Sequence, residues 1–293
     1  MEKRVAFIGL GIMGGHMASR LLEADYPLTI HTRSRAKASK LLGQGAEWAD
    51  TPAKAAEQAD VVFICVTDTP DVEKVVTGEH GVIAAARPGL IVVDHSTISP
   101  IATRVMAAAL AEKGTTLLDA PVSGGDVGAR NGTLSIMVGG ESSAFEQVEP
   151  LLRRMGTTIT YCGKSGAGQT TKLVNQILVS VTNMGVCEAL VFARKNGLDL
   201  ERTIAAVGGG AAGSWQLANL APKMVAGDFR PGFMVNLQQK DLRIILQVAE
   251  ESKTSLPAAS LVHQLFTAAE AAGHGKEGTQ ALFKVLEKLA SIH

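Results

Sequence analysis

A lysine accompanied by two amide side chains is the first candidate for chemistry in this chain. Lys172 lies about one turn into a predicted helix, and Asn175 and Gln176 follow three and four residues later, so all three share one helix face. The positive end of the helix dipole disfavours the charged ammonium form at this position, which suits a residue that gives up a proton as a general acid. Most lysines on helices are simply solvated. This helix, however, carries no further charge until Glu188, which favours the functional interpretation.

The glycine-rich opening of the chain predicts a nucleotide site. A short apolar strand leads into Gly9, Gly11 and Gly14, spaced G-x-G-x-x-G, and a helical pattern follows. The first glycine permits a tight turn, the second lets a pyrophosphate approach the backbone, and the third lets the helix pack against the strand. The backbone N–H groups of Leu10, Ile12 and Met13 would complete a phosphate site at the helix N-terminus. A plain strand–turn–helix joint is the alternative.

The end of the second predicted strand bears on which dinucleotide binds. NAD-preferring sites place an acidic residue there to hold the ribose 2′-hydroxyl. This chain has Thr32, Arg33 and Ser34 instead. A guanidinium pairs well with phosphate oxygens, so these residues favour NADP over NAD, although NAD remains an option. The alternative is that the arginine is a solvated charge at the start of the next helix.

Two other stretches carry polar groups. Ser123, Gly124 and Gly125 follow a predicted strand and offer a hydroxyl and two backbone N–H groups, which could hold a carboxylate. An ordinary turn explains these three residues equally well. Lys240 and Asp241 lie on a predicted helix, where such a pair is usually at the surface.

The elements that must position these residues follow an α/β pattern and then an all-helical one. Strands are predicted at 5–8, 28–31, 61–66, 90–93, 115–118, 134–138 and 158–161. Helix starts are predicted at Thr51-Pro52, Thr69-Pro70, Ser99-Pro100 and the capping box Ser143–Glu146. Beyond a long helix that starts near Gly166, helices are predicted near 200–207, 215–225, 235–251, 256–272 and 280–289.

This pattern predicts a Rossmann-type doubly wound sheet followed by an all-α domain with one long connecting helix. We place the nucleotide-binding domain at 1–163 and the helical substrate and dimerisation domain at 164–293.

Composition narrows the class of partner. The chain has 28 basic and 28 acidic residues among 293 and is 46% hydrophobic, so neither nucleic acid nor a membrane surface is the expected partner. Three scattered cysteines show neither metal spacing nor a disulfide framework, and we expect no metal site. The start resembles no signal peptide, and the uncharged run 173–187 is short for a bilayer span. We therefore expect a cytoplasmic protein.

Taken together, the motifs resemble those of the β-hydroxyacid dehydrogenase family, which includes 3-hydroxyisobutyrate dehydrogenases, tartronate semialdehyde reductases and glyoxylate/succinic semialdehyde reductases. The resemblance covers essentially the whole chain in the right order. It is carried by the glycine-rich opening, the run 94–97 with Pro100, and the runs 119–125, 166–176 and 240–242. The K-L-x-N-Q variant, with Gly139-Gly140 and Ala212-Gly213-Ser214, looks most like the tartronate semialdehyde reductase branch.

The resemblance implies a role for each position. Lys172 would be the catalytic acid, with Asn175 orienting the substrate, while Ser123, Gly124 and Gly125 would anchor its carboxylate. The cofactor would contact Cys65, Val66, Thr97 and Lys240. The substrate would be a small carboxylate-bearing aldehyde or hydroxy acid, and the protein would form a homodimer or homotetramer through its helical domain.

Gln176 departs from the family pattern, because several members have a second asparagine there; which amide touches substrate is left open. Three other functions compete with a semialdehyde reductase. A nucleotide-binding scaffold or an imine reductase would be expected to lack Lys172. A 6-phosphogluconate dehydrogenase would need a longer helical domain.

Overall fold

The computed structural model describes residues 3–292. The strands are β1 Val5–Ile8, β2 Leu28–His31, β3 Glu47–Trp48, β4 Val61–Ile64, β5 Ile91–Asp94, β6 Thr116–Asp119, β7 Val122–Ser123, β8 Leu134–Gly139 and β9 Gly156–Gly163. The first seven α-helices are α1 Ile12–Leu22, α2 Ser39–Gly43, α3 Pro52–Ala56, α4 Thr69–Thr77, α5 Pro100–Ala111, α6 Gly125–Asn131 and α7 Ser142–Leu152. The others are α8 Ala167–Lys195, α9 Leu200–Gly208, α10 Trp215–Asn219, α11 Ala221–Val225, α12 Val235–Glu251, α13 Pro257–Ala271 and α14 Leu282–Leu289. Short 3-10 turns lie at Arg35–Ala38, Val82–Ala85 and Thr279–Ala281.

The strands form one twisted sheet whose order reverses beside β1. From one edge the order is β3, β2, β1, β4, β5 and β6, all parallel. Strand β8 then runs antiparallel to both β6 and β7, and β9 pairs with β8 in parallel. Because the chain crosses from β1 to β2 on one side and later to β4 on the other, the carboxyl ends of β1 and β4 form the switch point where α/β sheets bind ligands.

Alternating side chains bury both faces of this sheet, as a doubly wound fold requires. Val5 and Phe7 point into one apolar cluster, and Ala6 and Ile8 point into another. All four are at most 1% exposed. Strand β1 is therefore apolar at every position, which is the sequence signal of a central parallel strand. The predicted Rossmann-type sheet and the helical segment that follows it in the chain are confirmed.

Helix starts were predicted with mixed success. Thr51 and Ser99 cap α3 and α5 through their side chains, with proline in the first turn. Asp68, not Thr69, caps α4, because its carboxylate accepts from the Thr69 backbone N–H at 2.7 Å. The Thr69 hydroxyl instead accepts from the Ser99 backbone N–H. The prediction of a capping box at Ser143–Glu146 is wrong, because α7 begins at Ser142. Its N-cap residue is Glu141, whose side chain makes no capping hydrogen bond.

Boundaries also moved in several places. The single helix predicted at 215–225 is two short helices, α10 and α11, joined at Leu220 just before Pro222. Strand β3 was not predicted, because two residues are too few to show an alternating pattern. The long helix α8, by contrast, was expected from its apolar periodicity and runs for 29 residues.

The chain forms two compact units, the first ending at Lys172 and the second beginning at Leu173. The second unit contains only helices among its described residues, and they pack around their own apolar cluster, which includes Phe266, Phe283 and Leu242. Within residues 3–292, only α8 has the length and composition to cross a membrane. Half of the most apolar 18-residue segment of this helix is buried, and the core helices of water-soluble proteins meet the same criterion of length and composition.

Candidate active site

The glycine turn after β1 has the geometry expected of a pyrophosphate site. Gly9 has φ +97°, and a Cβ there would lie 2.3 Å from the Cys65 carbonyl oxygen. A Cβ on Gly14 would lie 2.0 Å from the Gly9 carbonyl oxygen, so this position allows α1 to pack against the turn. A Cβ on Gly11 would meet no atom within 4 Å. The first and third glycines are thus required by the fold, whereas the second leaves open space beside the backbone.

The N-terminus of α1 is suited to an anion. Gly11 precedes the helix without a side-chain cap, and the first turn contains no acidic residue. The first N–H groups of a helix have no partner within it, and the helix dipole adds partial positive charge. A dinucleotide pyrophosphate therefore fits the groups that are present, including the backbone of Ile12 and Met13.

Cys65 and Val66 follow β4, which ends at Ile64, two residues before the predicted end of this strand, and they lie directly beside the glycine turn. The Cys65 N–H donates to the Ile8 carbonyl at 2.9 Å, and the Val66 N–H donates to the Ser96 hydroxyl, also at 2.9 Å. The structure therefore brings together Gly9, Cys65 and Val66 at the switch point. Thr97 follows the neighbouring strand β5 and is half-buried.

Two arginines, Arg33 and Arg35, follow β2 and have different surroundings. The Arg35 guanidinium lies over the Trp48 ring, 5.1 Å from its centroid. The Arg33 side chain is 82% exposed and meets Asp71 at 3.3 Å in an exposed ion pair, an interaction that contributes little to stability. Arg33 is therefore the residue at this strand end that can turn to a ligand phosphate, with Thr32 and Ser34 on either side.

The predicted carboxylate cradle lies between the short strand β7 and the start of α6, where Gly124 is the N-cap and Gly125 the first helical residue, rather than in a simple turn. Ser123 ends β7 and pairs with Ser135 of β8. Gly124 and Gly125 both have positive φ, +130° and +64°. These two conformations turn the backbone sharply after Ser123, a half-buried residue.

Lys172 lies in α8 with a side chain that is buried, at 7% exposure. The start of its helix is held by a buried carboxylate, Asp119, which accepts from the Gly166 N–H and the Gln169 N–H, both at 2.8 Å. Burial raises the pKa of Asp119, and the N–H groups that donate to it oppose that rise. Gln169 in turn donates to the Ser96 carbonyl at 2.7 Å and accepts from the Ile98 N–H at 3.1 Å.

The predicted amides of α8 have different environments. Gln176 is 3% exposed, accepts from the Asn175 amide at 2.7 Å and donates to the Asp241 carboxylate at 2.5 Å. Asp241 also pairs with Lys240 at 2.8 Å. Both ends of the Gln176 amide thus bond to protein groups, while Asn175 is half-buried. The Lys240–Asp241 pair is buried, contrary to its usual surface position.

Sequence reasoning passed over Asp119, Gln169 and Asp241 as functional candidates. Asp119 and Gln169 lie within motifs that were noted for other residues, and their partners are distant in the sequence.

Two further buried polar groups stand out. His95 stacks on Phe63 and donates from Nδ1 to the Ala120 carbonyl, and burial lowers the pKa of its imidazole to about 4. Gln238 is fully buried, and its amide meets no hydrogen-bond partner among residues 3–292.

No cluster of three or more histidine, cysteine, aspartate or glutamate residues within the described part of the chain could hold a metal ion. The arrangement offers a dinucleotide site, a buried lysine and a glycine cradle behind one serine. This set of groups fits a dinucleotide-dependent oxidoreductase, in which the cofactor and not a protein nucleophile carries the chemistry.

Similarity to known proteins gives the family. Residues 4–163 match the model of the NAD-binding domain of 6-phosphogluconate dehydrogenase. Residues 166–286 match the model described as the NAD-binding domain of NADP-dependent 3-hydroxyisobutyrate dehydrogenase. The chain is 43% identical to the 2-hydroxy-3-oxopropionate reductase of Escherichia coli K12 over 98% of each chain.

Two solved structures are similar throughout. The 3-hydroxyisobutyrate dehydrogenase of Mycobacterium tuberculosis with L-serine has a TM-score of 0.90 and 31% identity, covering 98% of this chain and 99% of that one. Psf3 in complex with NADP⁺ and 2-OPP has a TM-score of 0.89 and 31% identity, covering 96% and 99%. The protein is an NAD(P)-dependent dehydrogenase. It belongs to the β-hydroxyacid dehydrogenase family, whose members act on small hydroxy acids.

Proposed function

We propose that the protein is an NADPH-linked tartronate semialdehyde reductase, an enzyme that reduces the aldehyde of 2-hydroxy-3-oxopropionate. The observation that carries the proposal is the burial of Lys172, at 7% exposure, in a helix whose start is bonded to the backbone on both sides of Thr97. The 43% identity to the Escherichia coli 2-hydroxy-3-oxopropionate reductase supports the choice of substrate.

In this reaction, one group of residues binds the substrate carboxylate and Lys172 supplies the proton. The Ser123 hydroxyl and the backbone N–H groups of Gly124 and Gly125 bind the substrate carboxylate, which fixes one end of a short molecule. The nicotinamide, when bound, supplies the hydride. Lys172 holds a proton on Nζ beside the carbonyl oxygen and donates it as negative charge develops there.

Other residues orient the two ligands. We assign Asn175, three residues beyond the lysine, to a hydrogen bond with the substrate. We assign Gly9, Gly11 and Gly14 to the pyrophosphate, and Thr32, Arg33 and Ser34 to the adenosine ribose and its 2′-phosphate. Cys65, Val66, Thr97 and Lys240 are proposed as further cofactor contacts.

We also propose that the two domains are 1–163 and 164–293 and that the protein is a cytoplasmic homodimer or homotetramer. A size measurement by light scattering tests the assembly, since a monomer at micromolar concentration would contradict it.

A 3-hydroxyisobutyrate dehydrogenase is the second candidate. The match of 166–286 to a 3-hydroxyisobutyrate dehydrogenase domain and the similarity to the Mycobacterium tuberculosis enzyme favour it. Both reactions need the same lysine and the same cradle. They differ only in the substituent that the pocket must accept next to the carboxylate.

The test is NADPH oxidation with tartronate semialdehyde, compared with 3-hydroxyisobutyrate oxidation and with glyoxylate or succinic semialdehyde reduction. Lys172→Met removes the proton donor at nearly constant length, and we expect kcat to fall by about 10²- to 10⁴-fold while NADPH still binds. Lys164→Ala is the control, because Lys164 is exposed and lies just before the same helix. Turnover that survives in Lys172→Met would remove the lysine from its role, and higher kcat/KM with another acid would move the substrate assignment to it.

A further inference from the structure

We propose that Asp119 and Gln169 are positioning residues, which hold the start of α8 so that Lys172 stays at a fixed place relative to the backbone around Thr97. The inference rests on the proposed function, in which Lys172 is the proton donor. It assigns a role to two buried side chains that neither bind the cofactor nor contact substrate in the scheme above.

Asp119 ties the first turn of α8 to the end of β6. Its two carboxylate oxygens accept one N–H each, Oδ1 from Gly166 and Oδ2 from Gln169, both at 2.8 Å. Asp119 is completely buried. The N–H groups at a helix start have no partners within the helix, so a carboxylate that accepts two of them fixes both the position and the direction of that end.

Gln169 links the same turn to the segment after β5. Its Nε2 donates to the Ser96 carbonyl at 2.7 Å, and its Oε1 accepts from the Ile98 N–H at 3.1 Å. The amide therefore binds the backbone on both sides of Thr97. Lys172 is three residues beyond Gln169, less than one helical turn, so a rigid Gln169 leaves the lysine backbone little freedom relative to Thr97.

The backbone around this anchor is packed too tightly for any side chain. A Cβ on Gly168 would lie 2.4 Å from the Met137 carbonyl oxygen and 2.6 Å from that of Asp119. A Cβ on Gly139, the residue that pairs with Asp119 across the sheet, would lie 2.7 Å from the Gly168 nitrogen. These glycines bring α8 close enough to β6 and β8 for the carboxylate to reach both N–H groups.

A fixed lysine matters for the reaction more than for folding. Proton donation requires the donor within hydrogen-bond distance of the oxygen, and a displacement of about 1 Å can lower the rate by about 10²-fold. Ser123 and the cradle follow Asp119 by four residues. Asp119 therefore precedes the proposed cradle in the chain and also bonds the start of the helix that carries Lys172.

The experiment compares two variants with a matched control. Gln169→Met keeps the length of the side chain and removes its bonds to one backbone N–H and one backbone carbonyl. Asp119→Asn keeps the shape and removes one of the two acceptors. Thr115→Val is the control, since the Thr115 hydroxyl also bonds one backbone N–H and one carbonyl, both of Arg87 at 2.9 Å, at the opposite end of β6.

We expect Gln169→Met and Asp119→Asn to lower kcat by about 10- to 100-fold per NADPH-binding site. The KM for NADPH should stay unchanged. Thr115→Val should lower the Tm and leave kcat per site at the native value. Equal kcat losses in all three variants, or native kcat in both test variants, would overturn the inference. If Asp119→Asn fails to fold, Gln169→Met decides alone.

A second readout does not depend on the substrate. Lys172 is buried, so its labelling by trinitrobenzenesulfonate, resolved by mass spectrometry, should be slow in the native protein and several-fold faster in both test variants. Thr115→Val should label Lys172 at the native rate. If the native protein turns over none of the acids, the proposed function fails, and labelling still tests the anchor. Native labelling rates in both variants would refute it.

Discussion

Replacing Arg33 by alanine should change which dinucleotide the enzyme prefers without changing its stability. The Arg33 side chain is 82% exposed, and its contact with Asp71, at 3.3 Å, is an ion pair in water. Such pairs contribute about 0–1 kcal/mol. The free energy of unfolding of Arg33→Ala should therefore stay within about 1 kcal/mol of native.

The effect on NADPH follows from the bond that is lost. A hydrogen bond between a guanidinium and a phosphate is worth about 1.5–3 kcal/mol, which corresponds to a loss of roughly 10- to 150-fold in kcat/KM. NADH has only a hydroxyl at that position, so its kcat/KM should change little. The ratio of the two values should then fall by the same factor.

Arg35→Ala supplies the matched control for charge. It removes the same positive charge two residues away, but the Arg35 guanidinium already packs over Trp48 at 5.1 Å. The assay is initial-rate kinetics with NADPH and NADH in both variants, at fixed ionic strength because these interactions are screened by salt. Equal losses with NADPH and NADH in Arg33→Ala, or an equal change of their ratio in Arg35→Ala, would refute the assignment of Arg33 to the 2′-phosphate.

Three further predictions test the fold around the site. Burial lowers the pKa of the His95 imidazole to about 4. Between about pH 4 and 6.5 this side chain therefore binds more protons in the unfolded state than in the folded state. The free energy of unfolding should fall by up to about 3 kcal/mol as the pH drops through that range. Urea titrations should show this slope, and His95→Gln should lose it. Gly14→Ala would place a Cβ 2.0 Å from the Gly9 carbonyl oxygen, and it should abolish NADPH binding and lower the Tm. Gly15→Ala is the matched control: its Cβ would meet no atom within 4 Å, and the variant should have a higher Tm because alanine stabilises α1. Gln238→Met should stabilise the protein by about 1–3 kcal/mol, because a buried amide without a partner is removed; a lower Tm by calorimetry would contradict this.

Local patterns in the sequence were sufficient for much of the fold. Helix α12 was predicted with its observed bounds, because an amphipathic period of 3.6 residues is contained within the segment itself. The glycine turn at Gly9 and Gly14 could also be predicted, since a strand, a turn and a helix that follow one another in the chain must meet within a few residues.

Competition between neighbouring polar groups made the helix N-caps harder to predict from the sequence. Thr69 and Asp68 can both cap α4, and the structure uses Asp68 because the Thr69 hydroxyl bonds the Ser99 backbone, 30 residues away. No local pattern distinguishes the two. The same holds for α7, where a capping-box spacing is present but the helix begins one residue earlier.

The sequence by itself determined the class of fold, the dinucleotide site and the identity of the candidate acid, because each is written in a short run of adjacent residues. Only the tertiary structure decided which groups bond the helix that carries it. Asp119 reaches Gly166 and Gln169 across 47 and 50 residues, Gln169 reaches the backbone around Thr97 across more than 70, and Gln176 reaches Asp241 across 65. A buried polar side chain must find a partner wherever the packed chain brings one, and that choice depends on the order of the strands rather than on spacing along the sequence.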